Sequence, residues 1–170
     1  MTAAIVRKMR KDDLEKVLLW RNDREVRKYM YSAHVIGPEE HSAWFNRVEG
    51  SPDFHALIFE FDGKPTGFVK IVRLRGSPVA DWGFYLAPGA RRGAGKLLGR
   101  SALSYGFKQL GLHKLCGQVL QFNERSIRLH KKLGFSQEGV LKEHYFDGSQ
   151  YYSVICLRLL RDEWESIQEG

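Results

Sequence analysis

The pattern of apolar and polar positions divides the first half of the chain into one strand, three helices and a strand pair. Apolar residues alternate in AIVRKM, which is typical of a strand, and recur at helical spacing in the segment that follows. Acidic residues in a first turn and a proline near a helix start mark where helices begin. The predicted elements are a strand from residue 4, helices over 12–23, 24–30 and 37–50, and a hairpin over 54–74 that turns at DGKP.

The second half alternates strands and helices before it ends in another hairpin. Asn123 is a suitable N-cap for NERSIRLHKKLG, and Gly134 is a suitable terminator. The predicted elements are a strand over 79–88, a helix from the glycine-rich stretch to about Leu110, a strand over 114–121, a helix over 123–134 and a hairpin over 135–160. Antiparallel strands followed by a βαβ-like unit predict an α+β fold with a mixed sheet of about seven strands flanked by helices. No linker or repeat interrupts the pattern, so we expect one domain over residues 1–170.

Composition narrows the class of protein. A chain of 170 residues with 43% hydrophobic residues is long enough to bury a core. No run is long and apolar enough to span a membrane and the start lacks a signal-peptide core, so we expect a cytoplasmic protein without a membrane partner. The net charge of +7 is spread along the chain among acids, without a nucleic-acid motif. This scatter favours an anionic metabolite over a nucleic acid as partner.

The stretch APGARRGAGKLLG carries the first candidate chemistry. Gly89, Gly93 and Gly95 and three cations stand where a predicted strand turns into a predicted helix. The first N–H groups of a helix lack intrahelical partners and attract anions, often phosphates. Glycine lets a ligand approach the backbone closely. The spacing matches neither the Walker loop nor the dinucleotide fingerprint, so the stretch predicts a different kind of pyrophosphate cradle.

FYLAPGARRGAGKLLG and NERSIRLHKKLGF resemble the two signature segments of the GNAT acyltransferases, and the resemblance covers nearly the whole chain. It implies the GNAT fold and acetyl-CoA as co-substrate. No metal-ligand cluster is visible in the sequence, so we expect no metal site. One departure is Ala90, where the family usually has Gln or Arg; Arg91 or Arg92 can take over its part. The cofactor-binding residues that the resemblance implies are Leu86, Arg91, Arg92, Gly93, Ala94, Gly95, Lys96, Asn123 and Ser126.

A second departure concerns the proton donor. GNAT enzymes often have a tyrosine before the xKLGF tail as the acid that protonates the departing thiolate, and this chain has His130 there. A thiol pKa near about 8.5 explains why a donor helps. Histidine can donate when protonated or through its N–H. His130 is therefore the predicted catalytic acid, with a role as an ordinary helix histidine as the alternative.

The N-terminal half decides the acceptor. LLWRNDREVRKYMY followed by EEHSAWF resembles the GNAT subgroup that acetylates a UDP-linked 4-amino-4,6-dideoxy sugar on the pseudaminic acid pathway. Arginine can pair with phosphate, aromatic rings can stack on base or sugar, and methionine adapts to a methyl group. The acceptor-binding residues that this resemblance implies are Arg21, Met30, Tyr31, His41, Trp44 and Tyr85. Trp44 and Met30 are also compatible with helix core, and Arg21 with a helix C-terminal cap.

The expected reaction is direct attack of the neutral sugar 4-amine on the acetyl thioester. A backbone N–H near Leu86 would polarise the thioester carbonyl. His41 is a candidate general base, with water or a carbonyl as alternatives. A homodimer is an open possibility beside a monomer.

Four other functions compete with this prediction. A ribosomal-protein-type N-terminal acetyltransferase would need an open groove for a chain terminus. A polyamine acetyltransferase would need an acidic site, whereas this region offers Arg21, Arg24 and Arg27. A cofactor-binding protein without catalysis is compatible with the missing tyrosine. A nucleic-acid binder would show strongly salt-dependent binding.

Overall fold

The computed structural model describes residues 3–170 and contains one mixed sheet of seven strands. The strands are β1 (Ala4–Lys8), β2 (Phe54–Phe61), β3 (Lys64–Arg73), β4 (Val79–Leu86), β5 (Lys114–Leu120), β6 (Ser136–Phe146) and β7 (Tyr151–Leu160). Their order across the sheet is β1-β2-β3-β4-β5-β7-β6, and every neighbouring pair is antiparallel except β4 and β5. The predicted α+β class and the number of strands are confirmed.

Six helices flank the sheet. They are α1 (Leu14–Asn22), α2 (Arg24–Arg27), α3 (Pro38–Val48), α4 (Ala94–Ser104), α5 (Glu124–Lys132) and α6 (Arg161–Glu169). A 3₁₀ turn over Lys11–Asp13 precedes α1, and a π-helical turn over Tyr105–Gln109 extends α4 almost to the predicted end. Helix α6 was not predicted, and α2 is shorter than the predicted 24–30. No helix in residues 3–170 is long and apolar enough to cross a membrane.

The two faces of the sheet pack against different helices. On one face, Leu98 and Ala102 of α4 join Leu115 and Leu157 in a fully buried cluster. On the other face, side chains of α1 and α3 pack on β2 and β3 in a second cluster that includes Phe45. The apolar contacts of this second layer are with the β1–β4 half of the sheet, at residues such as Ile58 and Phe68.

The parallel pair at the centre of the sheet separates partway along its length. Pairing between β4 and β5 runs from Val79 with Lys114 to Trp82 with Gly117 and stops there. Both strands continue, β4 to Leu86 and β5 to Leu120. We call the diverging ends, residues 83–86 and 118–120, the split. The split leaves one backbone edge of β4 free to bind a ligand.

Candidate active site

A cleft of about 1290 Å³ runs along the split and through the layer of α1, α2 and α3. Its walls include residues from α1 to α3, from β2 to β5 and from the start of α5. The segments that sequence analysis predicted to bind the cofactor and the acceptor therefore border one continuous cavity. Predicted site residues that line it are Arg21, Met30, Tyr31, His41, Trp44, Tyr85, Leu86, Gly95, Asn123, Ser126 and His130.

The glycine-rich loop opens α4 at one end of this cleft. Gly93 is the N-cap and has φ +89°, a left-handed conformation that other residues adopt only with strain. A side chain added at Gly95 would touch Leu129 and Leu86, at 3.4 and 3.7 Å. The loop can thus present the N–H groups of the helix start to an anion.

The cationic side chains of this loop do not line the cleft. The guanidinium of Arg91 lies over the ring of Phe61, 5.0 Å from its centroid. The loop residues that do not line the cleft itself are Arg91, Arg92, Gly93, Ala94 and Lys96. Backbone donors of the loop therefore fit an anion better than a fixed set of side-chain contacts does.

The first turn of α5 forms the opposite wall of the split. The Asn123 side-chain oxygen accepts a hydrogen bond from the Ser126 backbone N–H at 3.3 Å, so the predicted N-cap is confirmed. Both side chains line the cleft. Their contact with a cofactor stays a prediction.

His130 lies buried at the closed end of the split, with 3% of its surface exposed. The Trp82 indole N–H donates to its Nε2 at 3.1 Å, and its Nδ1–H donates to the Ser126 carbonyl at 2.8 Å. Nε2 must carry a lone pair to accept, so the ring is the neutral Nδ1–H tautomer. Burial lowers the pKa of His130, and the Nδ1 hydrogen bond offsets this only in part. The ring can give a proton to the cleft only if one of these bonds breaks.

Gly117 makes room for this pair. A Cβ at position 117 would stand 2.8 Å from His130 Nε2, closer than real Cβ atoms approach, and 3.0 Å from Trp82 Nε1, a very tight contact. The Trp82–His130 hydrogen bond therefore requires glycine on β5 at the last paired position. The predicted acid and two residues that sequence analysis did not assign form one packed unit.

Arg21 reaches the cleft from the end of α1. Its Nη2–H donates to the Ser32 carbonyl, and its Nη1 is buried without a hydrogen-bond partner in residues 3–170. Burial lowers the pKa of Arg21, although an arginine remains charged in proteins. Burial shifts Tyr85 in the opposite direction. It raises the pKa of the phenol, which therefore stays protonated next to this cation. A buried, unpartnered guanidinium nitrogen is costly unless a ligand accepts from it.

The segment after α2 crosses over the cleft. The Tyr31 hydroxyl donates to Gln118 Oε1 at 3.1 Å, and the Tyr31 ring meets the edge of Tyr145 at 5.6 Å between centroids. Burial raises the pKa of Tyr31. Met30 precedes it on the cleft wall. These contacts join the N-terminal layer to β5 and β6, and they bridge the cavity.

His41 and Trp44 are partners on α3. Their rings stack with centroids 5.3 Å apart, and His41 Nε2–H donates to the Leu14 carbonyl at 2.9 Å. His41 is 5% exposed, and burial lowers its pKa. The edge of Trp44 also meets Phe68. Both residues have packing roles, and both contribute to the cleft wall.

Among the polar residues of the cleft wall that sequence analysis missed, three are on strands of the sheet. Lys70, Asp81 and Gln118 lie on β3, β4 and β5 around the split. Asp81 could have been found, because an acid within VADWGFY interrupts an otherwise apolar strand. The other two carry no comparable signal, since exposed lysine and glutamine are ordinary.

A family comparison decides the class of the protein. Residues 4–136 match the model of the acetyltransferase (GNAT) domain. The chain belongs to the GNAT acetyltransferase family. It is an N-acetyltransferase that uses acetyl-CoA as acyl donor.

Several GNAT proteins are similar over most of the chain. An uncharacterized N-acetyltransferase from a Bacillus subtilis prophage, YokL, is 31% identical over 84% of this chain and 82% of its own. The spermidine N(1)-acetyltransferase of Escherichia coli K12 is 26% identical over 94% and 87%. The acetyltransferase PseH of Campylobacter jejuni is 22% identical over 86% of each chain.

The GNAT fold is also that of a solved structure. The spermidine N-acetyltransferase of Vibrio cholerae, in complex with CoA and spermine, matches with a TM-score of 0.88 and 22% identity. The match covers 95% of this chain and 98% of that one. At this identity the likeness concerns the fold.

The residues of this GNAT domain fit acetyl-CoA as substrate. Ala87 N–H donates to the Thr66 carbonyl of β3 at 2.7 Å, so the preceding residue, Leu86, presents its N–H to the opposite edge. That edge is the split. The Leu86 N–H is therefore directed into the split, and its contact with the thioester carbonyl stays a prediction.

Proposed function

We propose that the protein acetylates the primary amine of a small acceptor that also carries an anionic group. The acceptor class is a UDP-linked 4-amino-4,6-dideoxy sugar, as in pseudaminic acid-type biosynthesis. The observation that carries this proposal is Arg21, whose buried Nη1 has no partner in the part of the chain that the structure describes. A phosphate oxygen would satisfy it through a charge-assisted hydrogen bond.

The other charges of the cleft support an anionic acceptor. Arg21, Arg47, Lys70 and Arg125 line it, and none forms an ion pair within residues 3–170. Acids near α2 and α3 are occupied locally. Glu25 pairs with Lys28 at 2.6 Å, and Glu40 is hydrogen-bonded to His34 at 2.9 Å. Along the whole cleft, the four unpaired cations outnumber the carboxylates that have no arginine or lysine partner in residues 3–170, which are Asp23, Glu40 and Asp81.

A polyamine acceptor is the second candidate, and the relatives favour it. The E. coli relative is named as a spermidine acetyltransferase and is more similar in sequence than PseH is. A polycation, however, would lie against Arg21 and Arg47 with few free carboxylates. Like charges placed against each other in a binding site cost several kcal/mol. The local electrostatics therefore favour the nucleotide sugar.

An N-terminal protein acetyltransferase of the ribosomal type fits the cavity less well. A chain terminus needs an open groove that continues beyond the reacting amine. Here the Tyr31–Gln118 hydrogen bond bridges the cleft between the N-terminal layer and β5. A compact acceptor suits a cleft with this bridge across it.

Transfer is proposed to be direct. The acceptor amine would attack the thioester carbonyl while the Leu86 N–H stabilises the developing oxyanion. The contacts of His130 support a positioning role more than the predicted role as acid, because both ring nitrogens already have partners. Solvent would then protonate the departing thiolate. A cytoplasmic location stays a prediction.

A panel assay tests the proposal. Thiol release from acetyl-CoA is measured with UDP-4-amino-sugars, spermidine and N-terminal peptides under one set of conditions. We expect the highest kcat/KM with a UDP-4-amino-sugar. A kcat/KM for spermidine or for a peptide above that for every nucleotide sugar would contradict the acceptor assignment. The noncatalytic alternative requires that no amine is acetylated.

A further inference from the structure

The connection from α2 to α3, residues 28–37, carries two of the predicted acceptor-binding residues, Met30 and Tyr31. We call it the crossing segment. Both residues line the cleft, as does Ile36 near the start of α3. Most residues of the segment are exposed to solvent, so side-chain packing provides little to hold it in place. Its position over the cleft therefore depends largely on polar contacts.

The backbone of the crossing segment is held by side chains. Residues 31–36 form no backbone–backbone hydrogen bond within residues 3–170. Backbone polar groups without backbone partners are satisfied by side chains or by water. Three residues at the corner between α1 and α2 supply such side chains, and they are Arg21, Asn22 and Arg27.

Asn22 makes a paired contact with the segment from the last residue of α1. Its Nδ2–H donates to the Ile36 carbonyl at 2.8 Å, and its Oδ1 accepts from the Ile36 N–H, also at 2.8 Å. A carboxamide carries a donor and an acceptor side by side, so one side chain satisfies both backbone groups of one residue. An ionised aspartate has the same shape but lacks the donor.

Arg27 holds the same corner from α2. Its Nε–H donates to the Asn22 carbonyl at 2.9 Å, and its Nη1–H donates to the Ala33 carbonyl at 3.0 Å. One guanidinium therefore caps the last turn of α1 and fixes the middle of the crossing segment. The cleft wall includes neither Asn22 nor Arg27, so both act from behind it.

We propose that Asn22, supported by Arg27, is a positioning residue that holds the crossing segment in its acceptor-binding arrangement. The segment in turn places Met30 on the cleft wall and the Tyr31 hydroxyl on Gln118 Oε1, at 3.1 Å. The proposal rests on the proposed N-acetyl transfer to an acceptor bound beneath this segment, but not on which amine that acceptor is. Sequence analysis gave Asn22 no role, because an asparagine at a helix end is ordinary.

A positioning role differs from a purely structural one in what its loss changes. Without the contact to Ile36, the crossing segment would sample several positions, and an acceptor would have to order it on binding. Acetyl-CoA is predicted to bind other elements, at the starts of α4 and α5. Loss of Asn22 should therefore weaken acceptor binding and leave acetyl-CoA binding as it is.

The test measures steady-state kinetics of Asn22→Ala with the panel amine that the wild type acetylates best. Asn46→Ala is the matched control, because Asn46 is exposed on α3 and outside the cleft wall. Arg27→Lys is a second variant, which keeps the charge but loses the fork that joins Asn22 to Ala33. Hydrogen exchange over residues 28–37 reports how firmly the segment is held, and circular dichroism reports whether the fold is kept.

We expect the acceptor KM of Asn22→Ala to rise about tenfold or more, with the acetyl-CoA KM within about twofold of wild type. Arg27→Lys should give a smaller rise of the same kind, and hydrogen exchange over residues 28–37 should be faster in both variants. Asn22→Ala combined with Tyr31→Phe should raise the acceptor KM by less than the product of the two separate rises. The reason is that Tyr31 is no longer held in place in the Asn22→Ala protein.

Three outcomes would overturn the inference: an acceptor KM of Asn22→Ala within about twofold of wild type, an equal rise of both KM values, or a double variant whose rise equals the product of the single ones. If Asn22→Ala did not fold, Arg27→Lys would decide by the same criteria. A best acceptor other than a UDP-4-amino-sugar would contradict the acceptor assignment alone. A wild type that acetylates no amine would overturn the proposed function, and this inference with it.

Discussion

The two ends of the cleft are built in different ways. At the proposed cofactor end, the candidate contacts are backbone groups, at the start of α4 at Gly93 and along the free edge of β4. At the proposed acceptor end, they are side chains such as those of Arg21 and Tyr31, which come from separate elements. Backbone sites tolerate most side-chain changes that keep the turn, whereas side-chain sites change with single substitutions. The family chemistry is thus fixed at one end, and specificity can vary at the other.

The strongest test of this contrast is Gly95→Glu. A carboxylate at the start of α4 would meet the pyrophosphate of acetyl-CoA, and like charges there cost several kcal/mol. We expect acetyl-CoA affinity to fall at least about a hundred-fold in calorimetry, with the circular dichroism spectrum kept. Gly95→Ala is the matched control, because it adds a Cβ without a charge. That Cβ would lie 3.7 Å from Leu86 and 3.4 Å from Leu129, so the fold can accommodate it. Unchanged acetyl-CoA binding by Gly95→Glu would contradict the assignment of this loop as the pyrophosphate site.

Arg21→Ala addresses the acceptor end alone. Loss of a charge-assisted contact costs about 1.5–3 kcal/mol, which raises the KM of a phosphate-bearing acceptor about ten- to a hundred-fold. The KM for acetyl-CoA should stay near wild type. Arg24→Ala, on the exposed side of α2, is the control. If the KM values of both substrates moved together, Arg21 would be structural and the two ends would not be separable.

His130→Phe tests the boundary between the two ends. It leaves the buried Trp82 N–H without an acceptor, so we expect the free energy of unfolding to fall by about 1–3 kcal/mol in urea titrations. Adding Trp82→Phe should recover part of that loss, because both polar partners are then gone. His144→Phe, at an exposed position on β6, is the control. A drop in kcat of about 10²–10⁴ with stability kept would instead support His130 as the acid.

Tyr31→Phe should have a smaller effect. It removes only the hydroxyl that donates to Gln118, a partly exposed bond worth about 0.5–1.5 kcal/mol. We expect the acceptor KM to rise about two- to tenfold in steady-state kinetics, with acetyl-CoA unaffected. Tyr151→Phe is the control, because the Tyr151 ring on β7 is exposed, and it should change neither the acceptor KM nor the acetyl-CoA KM. Equal effects of the two substitutions would show that the bridge over the cleft has no role in acceptor binding.

The smallest expected effect is that of mild acid on stability. Burial lowers the pKa values of His41 and His130 in the folded protein, so the unfolded chain binds more protons below its histidine pKa of about 6.5. Their contribution is complete above that pH and is lost as pH falls through the lower folded values. Thermal unfolding at pH 5.0 should give a lower Tm than at pH 7.5. The difference should shrink in the His41→Gln variant, and an identical shift there would contradict the assignment to His41.

Local patterns were enough to predict most of the fold. Strands and helices with clear alternation or helical spacing appear where expected, and Asn123 caps α5. Helix α6 escaped prediction because Trp164 is its only buried residue. That residue stacks on Phe107 of the π-helical turn, at 5.1 Å between ring centroids. A contact between segments so far apart in sequence leaves no periodic signal.

The same distinction holds for the candidate site. The glycine-rich loop could be predicted as a candidate anion site because its proposed contacts lie in contiguous backbone. The Trp82–His130 hydrogen bond could not, because it joins β4 to α5, which are 48 residues apart in sequence. Asp81 shows the intermediate case, since its polarity within an apolar strand is visible in the sequence but its place beside the split is not.

The packing of Gly117, Trp82 and His130 restricts how this enzyme can diverge. Any side chain at position 117 collides with the hydrogen-bonded pair, so glycine is needed as long as both partners stay. A smaller residue at position 82 would leave the 2.8 Å contact with His130 Nε2 in place and would strand the lone pair of that atom. Descendants of this gene should therefore exchange the three residues together, through intermediates that are less stable than either end point. Related sequences that keep His130 should also keep Gly117 and Trp82, and those with another residue at 130 should vary at both.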